Sequence, residues 1–167
     1  MVKKILDIIE KILMVIMGIL LGVMTAIIFY QVFLRYAFSS ANPWADELAR
    51  YAMIWAIMLA APVGFRKYRH IRIDVFIRYV SEKPRKIIDL FMYILELAFL
   101  VVMLCAGISI CGKVARQVSV GLGLPIPIMY MSVAVSAGLS IVFILENIFN
   151  EYFMGFIAAR KSKGATQ

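Results

Sequence analysis

The sequence predicts an all-α integral membrane protein. It has four transmembrane helices, both termini in the cytoplasm (N-in/C-in), and a short interfacial helix in the cytoplasmic loop between helices 2 and 3. Three observations lead there. The 167 residues are 63% hydrophobic and only 17% charged, with a mean hydropathy of +0.91, whereas a soluble domain carries about 25% charged residues. The charges fall in clusters between four long apolar stretches, and lysine and arginine are divided unevenly among those clusters. A net charge of +8 would suit nucleic acid if it formed a basic face on a soluble fold. Here it is confined to the loops and ends, so membrane lipid is the expected neighbour and nucleic acid is not. There is too little polar sequence for a second domain. Residues 1–167 read as one membrane domain with spans at about 12–34, 43–65, 87–111 and 126–149.

Crossing a hydrocarbon core of roughly 30 Å takes about 20 helical residues. The uncharged run Ile12 to Leu34 has 23. A signal peptide's apolar region has roughly 7–15 and is followed by a small-x-small cleavage site; the run is read as a retained first span. Tyr51 to Phe65 is 15 residues, long enough only if the second helix starts near Pro43. Asn42 then serves as N-cap, and Pro43 takes the first helical position, where its missing N–H costs nothing. Asp46 and Glu47 fall in the first turns, where the helix dipole favours carboxylates, and Trp44 sits at headgroup depth. The third span runs from about Ile87 to Cys111. In the fourth stretch, Gly121, Gly123, Pro125 and Pro127 delay the helix until about Pro125 to Pro127, from where it runs to about Phe149.

Orientation follows from the loops. Fourteen lysines and arginines lie before span 1, between spans 2 and 3, and after span 4. Four, namely Arg35, Arg50, Lys113 and Arg116, lie on the other side. Cytoplasmic loops carry the excess. Within the middle loop, Asp74 to Val80 fits a short interfacial helix stopped by Pro84.

In lipid, helices gain little from burying apolar surface against one another, so small residues that permit close approach matter more. Span 1 carries Gly18 and Gly22, continued by Ala26. Span 2 carries Ala52, Ala56, Ala60 and Gly64, and span 4 carries Ser132, Ser136 and Ser140, each at four-residue spacing. These are expected helix-packing faces, toward a neighbour in the chain or in another subunit. Pro62 frees the carbonyl of Met58 and kinks span 2. Cys105 and Cys111 are six apart, about 240° of helical rotation, and cannot bridge.

Glu96 stands out. It lies about 14 Å along the helix from Ile87, and a charged carboxylate at the bilayer centre costs about 2.5–3.5 kcal/mol. Three readings stay open for it: protonated and hydrogen-bonded to a neighbouring helix, paired with another protein, or proton-coupling. Glu146 and Asn147 lie near the cytoplasmic end of span 4, where ion pairing with the basic middle loop accounts for the acid. His70 is the one histidine, so a bis-histidine haem is excluded within one chain, and zinc would need more ligands than His70 and Asp74. No metal, cofactor or catalytic residue is expected, and no hydrolase or nucleotide-binding motif is present. By its residues alone the chain reads as a four-span membrane protein without a catalytic centre, for which a small proton-coupled exporter using Glu96 and a membrane adaptor both stay open.

Local patterns narrow this. Asn42-Pro43-Trp44-Ala45-Asp46-Glu47-Leu48-Ala49-Arg50-Tyr51 leads into a span containing Trp55. That span ends in Gly64-Phe65-Arg66-Lys67-Tyr68-Arg69-His70-Ile71-Arg72-Ile73-Asp74, and Gly121-Leu122-Gly123-Leu124-Pro125 precedes the last span. In length, span count and motif order the chain resembles the small membrane subunit of tripartite ATP-independent periplasmic (TRAP) transporters, the Q subunit. The resemblance carries His70 and Asp74 over as motif positions. It implies a multi-pass protein of the bacterial cell inner membrane. It also implies two partners: a periplasmic substrate-binding protein that captures an organic anion, and a large membrane subunit that imports the anion with sodium while the small subunit supports it. On that view the outer residues Arg35, Trp44, Asp46, Glu47, Arg50, Lys113 and Arg116 form a surface for the binding protein or the large subunit.

Overall fold

A computed structural model describes residues 2–38, 42–67 and 82–149. They form four helices: α1 (Val2–Phe38), α2 (Pro43–Lys67), α3 (Glu82–Lys113) and α4 (Pro127–Ile148). Each is long and apolar enough to cross a membrane. Among the described residues there is no strand, only an isolated antiparallel bridge between Val118 and Pro125. His70, Asp74 and the interfacial helix expected at 74–80 lie outside the described residues.

α1 packs on α2, α2 on α4, and α4 on α3. The spatial order α1–α2–α4–α3 therefore puts the second and fourth helices in the middle. Their composition suits that place. Ala45, Ala49, Ala52 and Ala56 are buried along α2, and Ser132, Ser136, Ala137 and Ser140 along α4, so the backbones approach without large side chains between them. The flanking α1 and α3 expose most of their apolar surface, as helices do when the surrounding solvent is hydrocarbon.

Two apolar clusters join the row. Leu6 and Leu13 of α1, Leu59 and Val63 of α2, and Phe143 of α4 form one. Tyr93 and Leu100 of α3 with Ala137 and Ile144 of α4 form the other. Phe143 and Ile144 are adjacent in α4, each 1% exposed, and serve opposite neighbours. α3 comes close to α4 at Gly107, where a Cβ would lie 3.1 Å from the Ala134 backbone nitrogen. Gly107→Leu should lower the melting temperature of the detergent-solubilised protein, with an overpacking cost of about 1–3 kcal/mol. Gly112→Leu, where a Cβ meets nothing within 4 Å, should leave it unchanged.

The alternation of the helices gathers residues 6–10, 65–67 and 143–147 at one end of the row. Residues 43–47 and 119–122 meet at the other. Each end carries a polar cluster.

Candidate functional site

At the Glu47 end, α2 starts at Pro43, and the Ala45 N–H donates to the Asn42 carbonyl at 3.1 Å. The α3–α4 connection turns back on itself. Ser119 N–H donates to the Leu124 carbonyl at 2.8 Å, Gly123 N–H to the Ser119 carbonyl at 3.1 Å, and Ile126 N–H to the Gln117 carbonyl at 3.0 Å. Gly123 has φ +67°, in the left-handed region that glycine enters without a Cβ penalty. The turn aims its donors at one carboxylate oxygen. Glu47 Oε2 accepts from the Ser119 hydroxyl at 2.9 Å, the Gly121 N–H at 2.8 Å and the Leu122 N–H at 2.7 Å. Successive backbone amides converging in this way form a natural anion cradle. It closes only because residue 121 lacks a side chain: a Cβ there would stand 2.7 Å from Glu47 Oε2 and 2.9 Å from the Pro43 carbonyl. One helix turn pair farther along α2, Trp55 Nε1–H donates to the Ile128 carbonyl at 3.1 Å, so α2 holds both the turn and the start of α4.

At the Arg66 end, one guanidinium on α2 collects groups from the two neighbouring helices, α1 and α4. Its Nη2 meets Asp7 Oδ1 at 2.5 Å, its Nη1 meets Glu10 Oε2 at 2.6 Å and the Leu6 carbonyl at 2.9 Å, and its Nε meets Glu146 Oε2 at 3.1 Å. The Phe143 ring centroid lies 5.2 Å from its central carbon, within cation–π range. The planar fork with five donors makes such multiple engagement possible. Spacing makes it local: Asp7 and Glu10 are three apart on α1, and Phe143 and Glu146 three apart on α4, so each pair shares a face. Arg66 and Glu146 side chains are each only 9% exposed, Glu10 15% and Asp7 48%. Lys67 adds a second cation 3.4 Å from Glu10 Oε1, and Asn147 Nδ2 donates to the Phe65 carbonyl at 3.3 Å.

The structure brings together only some of the residues singled out by sequence. Asp46 and Arg50 form an exposed i,i+4 pair at 2.9 Å, a contact of little energetic weight. Trp44 lies beside Tyr30, ring centroids 6.1 Å apart, and Arg35, Lys113 and Arg116 are exposed. Gly18 and Gly22 face open space, as does Gly64. Ala52 and Ala56 are buried while Ala60 is exposed, and Ser132, Ser136 and Ser140 are buried. The Ser132 hydroxyl donates to the Met129 carbonyl at 2.6 Å. The Ser140 hydroxyl has no hydrogen-bond partner among the described residues. Glu96 is half-buried on α3. Among the described residues, no three His, Cys, Asp or Glu side chains form a group able to hold a metal. Sequence reasoning missed Arg66 as a hub and passed over Asp7 and Glu10. Their i,i+3 spacing ahead of the first apolar run was the available signal.

Comparison with known proteins gives this arrangement a context. Residues 24–153 match the model of the family described as "Tripartite ATP-independent periplasmic transporters, DctQ component". The chain is 31% identical over 84 residues to the C4-dicarboxylate TRAP transporter small permease protein DctQ of Vibrio cholerae, covering 50% of this chain and 36% of that one. It is 30% identical over 77 residues to a putative TRAP transporter small permease protein of Haemophilus influenzae, covering 46% and 48%. These matches thus take in about a third to a half of each relative's length. A sialic acid TRAP transporter small permease protein, SiaQ of Vibrio cholerae, is 26% identical over 151 residues, covering 90% of this chain and 85% of that protein.

Proposed function

Because the chain belongs to the DctQ component family of tripartite ATP-independent periplasmic transporters, we propose that it is the stationary membrane subunit of such an importer, bracing a larger permease subunit that moves the solute. The observation that carries this reading is the double fastening of α2 to α4. The Glu47 carboxylate grips the turn leading into α4 at one end, and Arg66 grips Glu146 at the other. Fastenings at opposite ends oppose both sliding and hinging, which suits a support and not a moving gate. The four described helices also run unbroken through their spans, whereas secondary transporters bind solute at discontinuous helices near the midplane.

In this reading the Arg66 end faces the cytoplasm of a bacterial inner membrane, by the distribution of lysine and arginine. The Glu47 end faces the periplasm, where exposed Arg35, Arg50, Lys113 and Arg116 meet a substrate-binding protein. The relatives named for C4-dicarboxylate and sialic acid handle carboxylated solutes, which makes an organic anion, imported with sodium, the substrate class to test. A larger partner is supported by a sialic acid TRAP transporter permease protein of Haemophilus influenzae. Its segment similar to this chain (32% identical over 78 residues) makes up 13% of its length.

Reconstitution tests the proposal. In proteoliposomes with a sodium gradient and binding protein, uptake should fall to background when this chain is left out; equal uptake by the large subunit alone would overturn the supporting role. In the same assay Glu96→Gln should leave uptake intact, and loss of uptake would favour the proton-coupled reading. Lys113→Glu with Arg116→Glu should raise the binding-protein concentration needed for half-maximal uptake, and an unchanged value would remove these residues from the docking surface.

A further inference from the structure

α1 is longer than a bilayer requires, and its surplus carries exposed aromatic side chains. Glu10 meets Arg66 at one end of the row, and Tyr30 pairs with Trp44 at the other. From Glu10 to Tyr30 the helix rises about 30 Å, the thickness of the hydrocarbon core, and Tyr and Trp of this kind mark headgroup level. Tyr36 then stands about 9 Å farther out along the axis.

Phe29, Phe33 and Tyr36 are 72%, 64% and 85% exposed. At 100° per residue they fall within the same arc of about 60° as Val15, Gly18 and Gly22. Val15 is 61% exposed, and a Cβ at either glycine would meet nothing within 4 Å. α2 packs on the other side of the helix, through Leu6, Leu13, Met17 and Leu20. One uncovered face therefore runs from Val15 to Tyr36, about 32 Å, and crosses the membrane boundary. Among the described residues nothing covers it.

The extent of this face selects its occupant. Lipid tails match the part below Tyr30 and headgroups, a layer of about 5–7 Å on each side, reach Phe33, but the Tyr36 ring stands beyond both. A soluble protein reaches the rings and leaves the inner part untouched. A transmembrane helix that continues past the boundary covers both. Lacking side chains at 18 and 22, α1 lets such a helix come close in the membrane. Where helices crossing at about 40° diverge, the rings of Phe29, Phe33 and Tyr36 fill the widening gap.

We infer that this face of α1 seats a transmembrane helix of the larger permease subunit, with Phe33 and Tyr36 as its outer contacts. This rests on the function proposed above, where a segment like this chain is covalently part of a much longer permease protein.

A photoreactive residue tests it in the assembled complex. With p-benzoylphenylalanine in place of Tyr36, irradiation of native membranes should give an adduct containing this chain and the larger subunit. An adduct of two copies of this chain, an adduct with the soluble binding protein, or labelled lipid alone would each overturn the assignment. The same probe in place of Phe99, exposed on α3, separates two failures. If Phe99 traps the larger subunit and Tyr36 does not, the face is wrong and the function stands. If the tagged chain recovers no larger membrane subunit at all, the proposed function falls with it. Tyr36→Asp should reduce recovery of the larger subunit with the tagged chain while leaving the chain's own melting temperature unchanged; full recovery would overturn the inference.

Discussion

Arg66→Ala should cost about 3–5 kcal/mol, the range seen when one partner of a buried ion pair is removed, and should leave little folded protein after extraction into detergent. The reason is an asymmetry in the cluster. Asp7, Glu10 and Glu146 converge on one guanidinium, and without it three carboxylates face each other with only Lys67 nearby. The Leu6 carbonyl loses its donor and the Phe143 ring its cation. Removing one acid is a much smaller change, because it leaves two carboxylates opposite two cations. Asp7→Asn, at a side chain 48% exposed, should cost under about 1 kcal/mol after solvent screening. Arg66→Lys should recover only part of the loss, since a single ammonium cannot reach the four acceptors on α1 and α4 at once. Thermal unfolding followed by tryptophan fluorescence would rank the variants. Arg66→Ala melting with the wild type would show that apolar packing alone aligns α1, α2 and α4.

The four helices were legible because bilayer thickness converts directly into a residue count, and the apolar runs satisfy it. The start of α2 at Pro43 and of α4 at Pro127 followed from proline and glycine chemistry that acts locally. What escaped depends on rotation of one helix against another. Arg66 near a helix end reads as one more cation that fixes orientation. That it turns inward is decided by Leu59, Val63 and Phe143, whose packing sets which way α2 faces. Glu47 was legible as a carboxylate at a helix N-terminus. Its acceptance of three hydrogen bonds from the turn near Gly121 was not, because the partners are more than seventy residues away in the chain. Gly121 and Gly123 both read as helix breakers, yet they differ. Gly123 supplies a positive φ, whereas Gly121 supplies a missing Cβ.

That difference gives the second large effect. Gly121→Ala places a Cβ 2.7 Å from the Glu47 carboxylate and 2.9 Å from the Pro43 carbonyl. The second neighbour is backbone at a helix start and cannot swing away, so the turn must lift off α2. The overpacking alone should cost about 1–3 kcal/mol, and the Gly121 and Leu122 amides lose their acceptor in addition. Glu47→Ala attacks the same contact from the other side, leaving those two amides and the Ser119 hydroxyl to find water, with Ser119 itself 7% exposed. Both variants should raise hydrogen exchange and protease cleavage at 117–126 while the Arg66 end keeps its protection, because the two clusters share no residue. Their effects should not add. Once Gly121→Ala has opened the cradle, Glu47 has little left to hold, so the double variant should melt close to the worse single one. Additive losses would mean that Glu47 stabilises α2 through the helix dipole alone, and that the turn before α4 is held by its own internal hydrogen bonds.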